Sequence, residues 1–182
     1  MKELPKTIKY SLLLVILGIV AGGLLAYVNS ITAPIIAERK DAELKEILEE
    51  YFECERFTDE TTNYELDKGI EKIYFGYVED GLEVVIYQTS TNGYGGPIVT
   101  LVGINLTDDK LVNLQVASAD NETVGIGSKV LNHDFSVAGE SITDYSFEII
   151  SGATVSSNAV KNNLIIAVKH YTENKTLFEK AS

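Results

Sequence analysis

A threonine hydroxyl at the start of a predicted helix is the feature of this sequence best suited to chemistry. Thr154 closes the segment Ser151-Gly152-Ala153-Thr154, and residues 155–171 have helical periodicity. Backbone N–H groups at a helix N-terminus favour phosphate, and the small residues Gly152 and Ala153 leave room for a bulky group. No base or metal-binding cluster adjoins Thr154, so we interpret it as an attachment point. The alternative is a threonine that caps the helix.

Two further glycine-rich segments precede Thr154. Gly93-Tyr94-Gly95-Gly96-Pro97-Ile98 joins two predicted strands, and Glu122-Thr123-Val124-Gly125-Ile126-Gly127-Ser128-Lys129 is a second loop. Glycine permits close approach of backbone, and the Tyr94 ring could contact a flat aromatic ligand. Each segment alone is typical of an ordinary turn, whereas their combination with Thr154 is more specific.

Composition narrows the possible functions. The chain has 182 residues, 45% of them hydrophobic, and a formal net charge of −12. Such an acidic surface argues against nucleic acid as a partner. Cys54 is the single cysteine, and His133 and His170 are far apart, so an internal disulfide and a thiolate metal cluster are excluded. We interpret Cys54 as a small apolar filler and not as a reactive thiol.

The N-terminal region predicts a membrane anchor. No charged residue occurs from Tyr10 to Ala37, and a helix over residues 10–28 would span about 28 Å, close to one hydrocarbon core. Lysines 2, 6 and 9 precede it, which predicts that residues 1–9 are cytoplasmic and that the rest of the chain, after the span, is extracytoplasmic. A cleaved signal peptide is the alternative, but the apolar run is long and its exit offers a poor cleavage site.

The elements that must position these segments follow from periodicity. Residues 29–52 are predicted to continue the anchor as a juxtamembrane stalk helix that leaves the membrane at Pro34, and 53–69 to form a loop. Strands are expected at 70–78, 82–90, 98–106 and 111–118, with turns at 79–81 and 108–110. The expected buried strand positions are Val84, Ile86, Ile98, Val102, Ile104, Leu111, Leu114 and Val116; those of the last helix are Val160, Leu164, Ile165 and Val168. The fold class is α+β: an antiparallel sheet with packed helices.

The three glycine-rich segments, in this order behind one anchor, resemble the covalent-FMN-binding domain family, and in particular the G subunits of Rnf ion-translocating electron-transport complexes. In the family a flavin transferase links FMN through its phosphate to the threonine of a Ser/Thr-Gly-Ala-Thr motif, which here is Thr154. The second loop resembles the family pattern Glu-Thr-Pro-Gly-Leu-Gly, and Glu148 stands where the family usually has aspartate. By this resemblance, residues 53–182 form the FMN-binding domain. Its expected cofactor-binding residues are Thr154, Ser151, Gly152, Ala153, Tyr94, Gly95, Gly96, Glu122, Thr123, Gly125 and Gly127.

The resemblance also implies a function. Such a subunit relays electrons within a membrane complex that couples electron transfer between ferredoxin and NAD to movement of Na⁺ or H⁺. It is not catalytic alone and depends on the other subunits. Two alternatives stay open: the related C subunit of the sodium-pumping NADH:quinone oxidoreductase, whose chains are usually longer, and an anchored extracellular binding domain without redox chemistry.

Overall fold

The computed structural model describes residues 6–79 and 81–181. It contains a long N-terminal helix α1 (Lys6–Tyr51) and the strands β1 (Arg56–Asp59), β2 (Ile70–Val78), β3 (Gly81–Asn92), β4 (Pro97–Asn105) and β5 (Leu111–Ser118). A C-terminal helix α2 (Thr154–Ala181) completes the chain, and short 3₁₀ helices span Thr61–Asn63 and Gly127–Asn132. The predicted α+β class is confirmed.

The chain divides into two compact units, 1–45 and 46–182. In the first, the apolar side chains of α1 are exposed, for example Leu14 at 68% and Leu25 at 73%. A helix that is apolar on all sides is typical of a membrane span, and α1 is the one described helix long and apolar enough to cross a bilayer. The helix runs through Pro34 without a break, so the predicted anchor and stalk belong to one continuous helix. Lys2 and the rest of residues 1–5 lie outside the described residues.

The second unit is built on one antiparallel sheet in the order β1-β2-β3-β4-β5. Neighbours in the sheet are also neighbours in sequence: short connections join β2 to β5, and residues 60–69, with the 3₁₀ helix Thr61–Asn63, join β1 to β2. The predicted β2, β3, β4 and β5 are confirmed to within two residues, and all eight expected core positions in them are buried. The turn around Glu79 is confirmed in part, since residue 80 lies outside the described residues, and the turn before β5 contains Asp109 with a φ of 55°.

Helix α2 packs on β3 and β4. Its buried side chains include Val160, Asn163, Leu164, Ala167 and Tyr171, which stand at positions i, i+3, i+4, i+7 and i+11 of one helical face. This face differs from the predicted one, because Ile165 is 44% exposed and Val168 is only half-buried. The polar Asn163 takes a core position instead, since its amide donates to the Ile98 carbonyl at 2.9 Å and to the Thr100 hydroxyl at 2.8 Å.

Two sequence predictions about element bounds were wrong. Residues 53–69 are not all loop: β1 forms there and pairs with β2, with Arg56 stacked 4.2 Å above the Tyr77 ring. The last helix does not stop at 171 but continues to Ala181, because Phe178 is completely buried in the core. In both segments a tertiary contact stabilises a polar stretch that local periodicity does not mark as regular structure.

Candidate functional site

The turn before α2 creates an open helix N-terminus. Gly152 has a φ of +84°, a conformation that favours glycine, and the Ala153 N–H donates to the Ile150 carbonyl at 3.0 Å. The first intrahelical bond runs from the Ser157 N–H to the Ala153 carbonyl at 2.9 Å. The N–H groups of residues 154–156 therefore precede any intrahelical acceptor and are available to a ligand.

Three hydroxyls occur in the first helical turn, and only Thr154 is exposed. Ser156 is 1% exposed and donates to Glu122 Oε2 at 2.6 Å. Ser157 is fully buried and accepts a bond from the Ile150 N–H at 3.2 Å. The Thr154 hydroxyl makes no hydrogen bond with the described part of the chain. The helix-cap alternative is wrong, since Ala153 occupies the N-cap position and Thr154 is the first helical residue.

The three glycine-rich segments meet around one cavity of about 420 Å³. This volume lies within the range of small-molecule sites. The cavity is lined by Tyr94 from the first segment, by Glu122, Thr123, Ile126 and Gly127 from the second, and by Gly152, Ala153, Thr154, Val155 and Ser156 from the third. We call it the α2 pocket. Segments that lie far apart in sequence are thus brought together.

Four of the expected site residues do not line the α2 pocket. Gly95 and Gly96 instead let the first loop lie directly on Asn121: a Cβ at position 95 would collide with the Asn121 carbonyl oxygen, and one at 96 would come within 2.9 Å of its side chain. Gly125, with a φ of +76°, shapes the second loop, and Ser151 is exposed in the turn before α2. These four residues shape the loops and the turn beside the pocket and are not part of its lining.

Glu122 links all three segments. Its side chain is buried, with Oε1 accepting from the Gly95 N–H at 2.9 Å and Oε2 from the Ser156 hydroxyl at 2.6 Å. Both carboxylate oxygens are therefore engaged by the protein itself.

An apolar rim surrounds the α2 pocket. Among the lining residues, Tyr94 is 75% exposed, Ile126 50% and Val155 51%; Val124, in the same loop as Ile126, is 90% exposed. Glu122 is the one ionisable acid or base among the lining residues apart from the Tyr94 phenol, so an anion there would be held by backbone N–H groups and the α2 dipole. The rim would contact the apolar part of the same ligand.

Sequence reasoning missed part of this lining. Ile126 and Val155 were not predicted, although an apolar residue in a glycine-rich loop or an exposed first helical turn is a usable signal. Ser156 was not among the expected cofactor-binding residues, and its contact with Glu122 joins residues too distant in sequence for any local pattern to reveal.

Three other side chains that could carry chemistry, those of Cys54, His170 and Glu148, are not part of the pocket lining. Burial and the nearby Glu83 carboxylate raise the pKa of Cys54 to about 11, which disfavours the nucleophilic thiolate at neutral pH, in line with the sequence interpretation. His170 is buried between the Tyr87 hydroxyl and the Glu65 carbonyl. Glu148, the residue at the position of the family aspartate, is 74% exposed and lies 3.9 Å from His133.

Comparison with known proteins agrees with this geometry. The family model described as the FMN-binding domain matches residues 93–169, which include all three pocket segments. A second model, the RnfG N-terminal region, matches residues 1–50.

Curated relatives agree as well. The G subunits of the ion-translocating oxidoreductase complexes of Escherichia coli K12 and O157:H7 are each 28% identical over 167 residues, covering 87% of this chain and 78% of theirs. The G subunit of the Vibrio atlanticus complex is 25% identical, with 91% and 90% coverage. The chain is therefore an RnfG-type subunit of an oxidoreductase complex, with an FMN-binding domain behind its N-terminal helix.

Proposed function

We propose that FMN is attached to Thr154 through a phosphoester and occupies the α2 pocket. The observation that carries this proposal is that Thr154 supplies the exposed, unbonded hydroxyl of the α2 N-terminus, beside free backbone N–H groups. The neighbouring Ser156 and Ser157 hydroxyls are buried and engaged. The pocket fits the group in two parts: the helix N-terminus suits the phosphate, and the apolar rim with Tyr94 suits the isoalloxazine.

The attachment requires a separate flavin transferase. The Thr154 oxygen forms the new bond to phosphorus of an activated FMN phosphate, the leaving group departs with the electrons of the broken P–O bond, and the hydroxyl proton passes to a base of the transferase. The α2 pocket offers no side chain placed to take that proton, since Glu122 already accepts two hydrogen bonds. The exposure of Thr154 leaves it accessible to such an enzyme.

When bound, FMN supplies one- and two-electron transfer. The role of this chain is then to hold it at a fixed place within an Rnf-type complex that passes electrons between ferredoxin and NAD and moves Na⁺ or H⁺. The match to the RnfG N-terminal region supports this assignment over the C subunit of the quinone reductase. The match to the FMN-binding domain supports it over a non-redox displayed domain.

The orientation belongs to the same proposal. The N-terminal lysines favour a cytoplasmic position for residues 1–9, with α1 crossing the membrane once and the FMN-binding domain outside. A C-terminal alkaline phosphatase fusion should be active and a C-terminal green fluorescent protein fusion dark. The reverse pattern would contradict the orientation.

The attachment is tested by expressing the full chain with a flavin transferase and measuring intact mass and in-gel flavin fluorescence. We expect the added mass of FMN less one water in the wild type and none in Thr154→Ala. Thr123→Ala is the matched control, because Thr123 is also exposed and lines the same pocket. Covalent flavin that survives Thr154→Ala, or is lost in Thr123→Ala alone, would overturn the assignment.

A further inference from the structure

The position of Glu122 indicates a role that differs from ligand contact. A buried carboxylate is costly unless it is fully hydrogen-bonded. Here one oxygen accepts from the backbone of the first loop, at Gly95, and the other from the α2 side chain Ser156. Glu122 itself belongs to the second loop. One side chain therefore connects the three segments that form the pocket.

The glycines around Glu122 show that the loops are built to enclose this carboxylate. A Cβ at Gly93 would collide with Glu122 Oε1, and a Cβ at Gly127 would collide with Oε2 and lie 3.0 Å from Ser156 Oγ. Neither Gly93 nor Gly127 has a positive φ. Since their backbone conformation is open to other residues, glycine stands at these positions because of the space that the carboxylate occupies, shared at Gly93 with the Ile98 side chain.

The two bonds fix the parts of the pocket that a ligand would use. Ser156 lies in the same helical turn as Thr154, and Gly95 follows Tyr94 directly. We infer that Glu122 is a positioning residue, which sets the distance between the Thr154 hydroxyl and the Tyr94 ring by holding Ser156 and the Gly95 N–H at once. The functional effect of this positioning rests on the proposed function, because the distance from Thr154 to Tyr94 would be the distance from the phosphoester to the isoalloxazine surface.

The first test needs no flavin. In the full chain in detergent micelles, amide exchange of Gly95 is measured by NMR against a buried β3 amide. Glu122→Ala should accelerate Gly95 exchange about 10-fold or more, as expected for loss of a bond to a charged acceptor. Ser156→Ala should accelerate it by a smaller factor, although Ser156 does not touch Gly95, because the carboxylate loses its second anchor.

Two variants separate positioning from general stability. Glu122→Gln keeps the side-chain length and can still bond both partners, so Gly95 exchange should remain near the wild-type rate. Thr91→Val removes another hydrogen bond between the sheet and α2, that from Thr91 Oγ1 to the Ala159 carbonyl at 2.9 Å, and should leave Gly95 unchanged relative to the reference amide. If Ser156→Ala has no effect at Gly95, or Thr91→Val has an equal one, the positioning role is refuted.

The second test measures the rate of flavin incorporation by a flavin transferase. We expect Glu122→Ala to slow it about 10-fold or more, Glu122→Gln to restore it, and Ser156→Ala combined with Glu122→Ala to be no slower than Glu122→Ala alone. A wild-type chain that takes up no flavin would defeat the proposed function and leave the exchange result standing. A wild-type chain that loads, with Glu122→Ala loading equally fast, would defeat the present inference alone.

Discussion

The two halves of α2 are held to the sheet in different ways. Near the pocket, α2 makes directional polar bonds in addition to the apolar packing of Val160 and Leu164: Ser156 to Glu122, Asn163 to Ile98 and Thr100, and Thr91 to the Ala159 carbonyl. At the other end, aromatic rings pack together. Phe178 lies 4.9 Å from the Tyr64 ring centroid and 5.7 Å from that of Phe75, and stacks on Tyr171 at 6.1 Å.

This difference separates orientation from stability. Hydrogen bonds contribute modest net free energy but have strict geometry, so they can hold a hydroxyl in a defined place. Apolar packing contributes more free energy per side chain and constrains direction less. The half of α2 that carries Thr154 has such bonds close to the pocket, whereas the fully buried aromatic rings of Tyr171 and Phe178 lie in the half far from it, beside the hydrogen bonds from Tyr171 and Lys175 to Asp109.

The largest effect is expected at the aromatic end. Phe178→Ala should lower the free energy of unfolding by about 3–5 kcal/mol, because a fully buried ring is removed from a cluster of aromatic residues. Urea unfolding of the full chain in detergent measures the change. The neighbouring Leu177, 47% exposed, is the control, and Leu177→Ala should cost far less.

If the two halves are separate in function, folded Phe178→Ala protein should still take up flavin at Thr154. A variant that is folded at low temperature yet loses covalent flavin would show that the aromatic end also shapes the pocket.

A smaller effect is expected at the pocket. Gly127→Ala places a methyl group against Glu122 Oε2, and we expect it to cost about 1–3 kcal/mol of stability through overpacking and to release Gly95. Gly125→Ala in the same loop is the control. It is strained by its φ of +76° but meets no neighbour, so it should lose stability without faster exchange at Gly95. Amide exchange and urea unfolding, measured on both variants, distinguish Gly127→Ala from Gly125→Ala. An equal rate of Gly95 exchange in the two variants would contradict the proposed collision with Glu122.

Much of the fold around the pocket could be predicted from the sequence, but some elements could not. Alternating apolar residues indicated β2 to β5, and Gly152 followed by a helical period indicated the start of α2. The same period failed at Ile165, because a core amide, Asn163, replaced an apolar residue on the buried face. Strand β1 and the last turns of α2 depend on partners far away in sequence, Tyr77 and Phe75, and so left no local pattern.

The polar network at the aromatic end predicts a pH-dependent effect. Tyr171 donates to Asp109 Oδ1 at 2.9 Å, and Lys175 to Oδ2 at 2.7 Å. Partial burial alone would raise the pKa of Asp109, but the hydrogen bonds from Lys175 and Tyr171 outweigh it and the pKa lies below its usual value. Because the pKa of Asp109 is lower in the folded state than in the unfolded state, the ionised carboxylate stabilises the fold at pH values above the unfolded-state pKa. This stabilisation is lost as the pH falls through the folded-state pKa.

Tyr171→Phe should therefore cost about 1–2 kcal/mol at pH 7, with a smaller cost at pH values below the pKa of Asp109, where the carboxyl is neutral in both states. Urea unfolding at a series of pH values checks this. A cost that is equal at acid and neutral pH would show that the Asp109 carboxylate is not the partner that matters.

The smallest effect on stability is expected at the pocket rim. Tyr94 is 75% exposed, so Tyr94→Leu should change the free energy of unfolding by no more than about 0.5 kcal/mol. If the ring lies against the isoalloxazine, its electron-rich phenol quenches flavin emission, and the leucine variant should fluoresce more brightly at equal flavin content. Fluorescence per covalent flavin, normalised by absorbance, is the measurement, and unchanged emission would place Tyr94 away from the flavin. Tyr94 directly precedes Gly95, the residue that Glu122 holds, so brighter emission in both Tyr94→Leu and Glu122→Ala would locate the positioning effect at this loop rather than at Thr154.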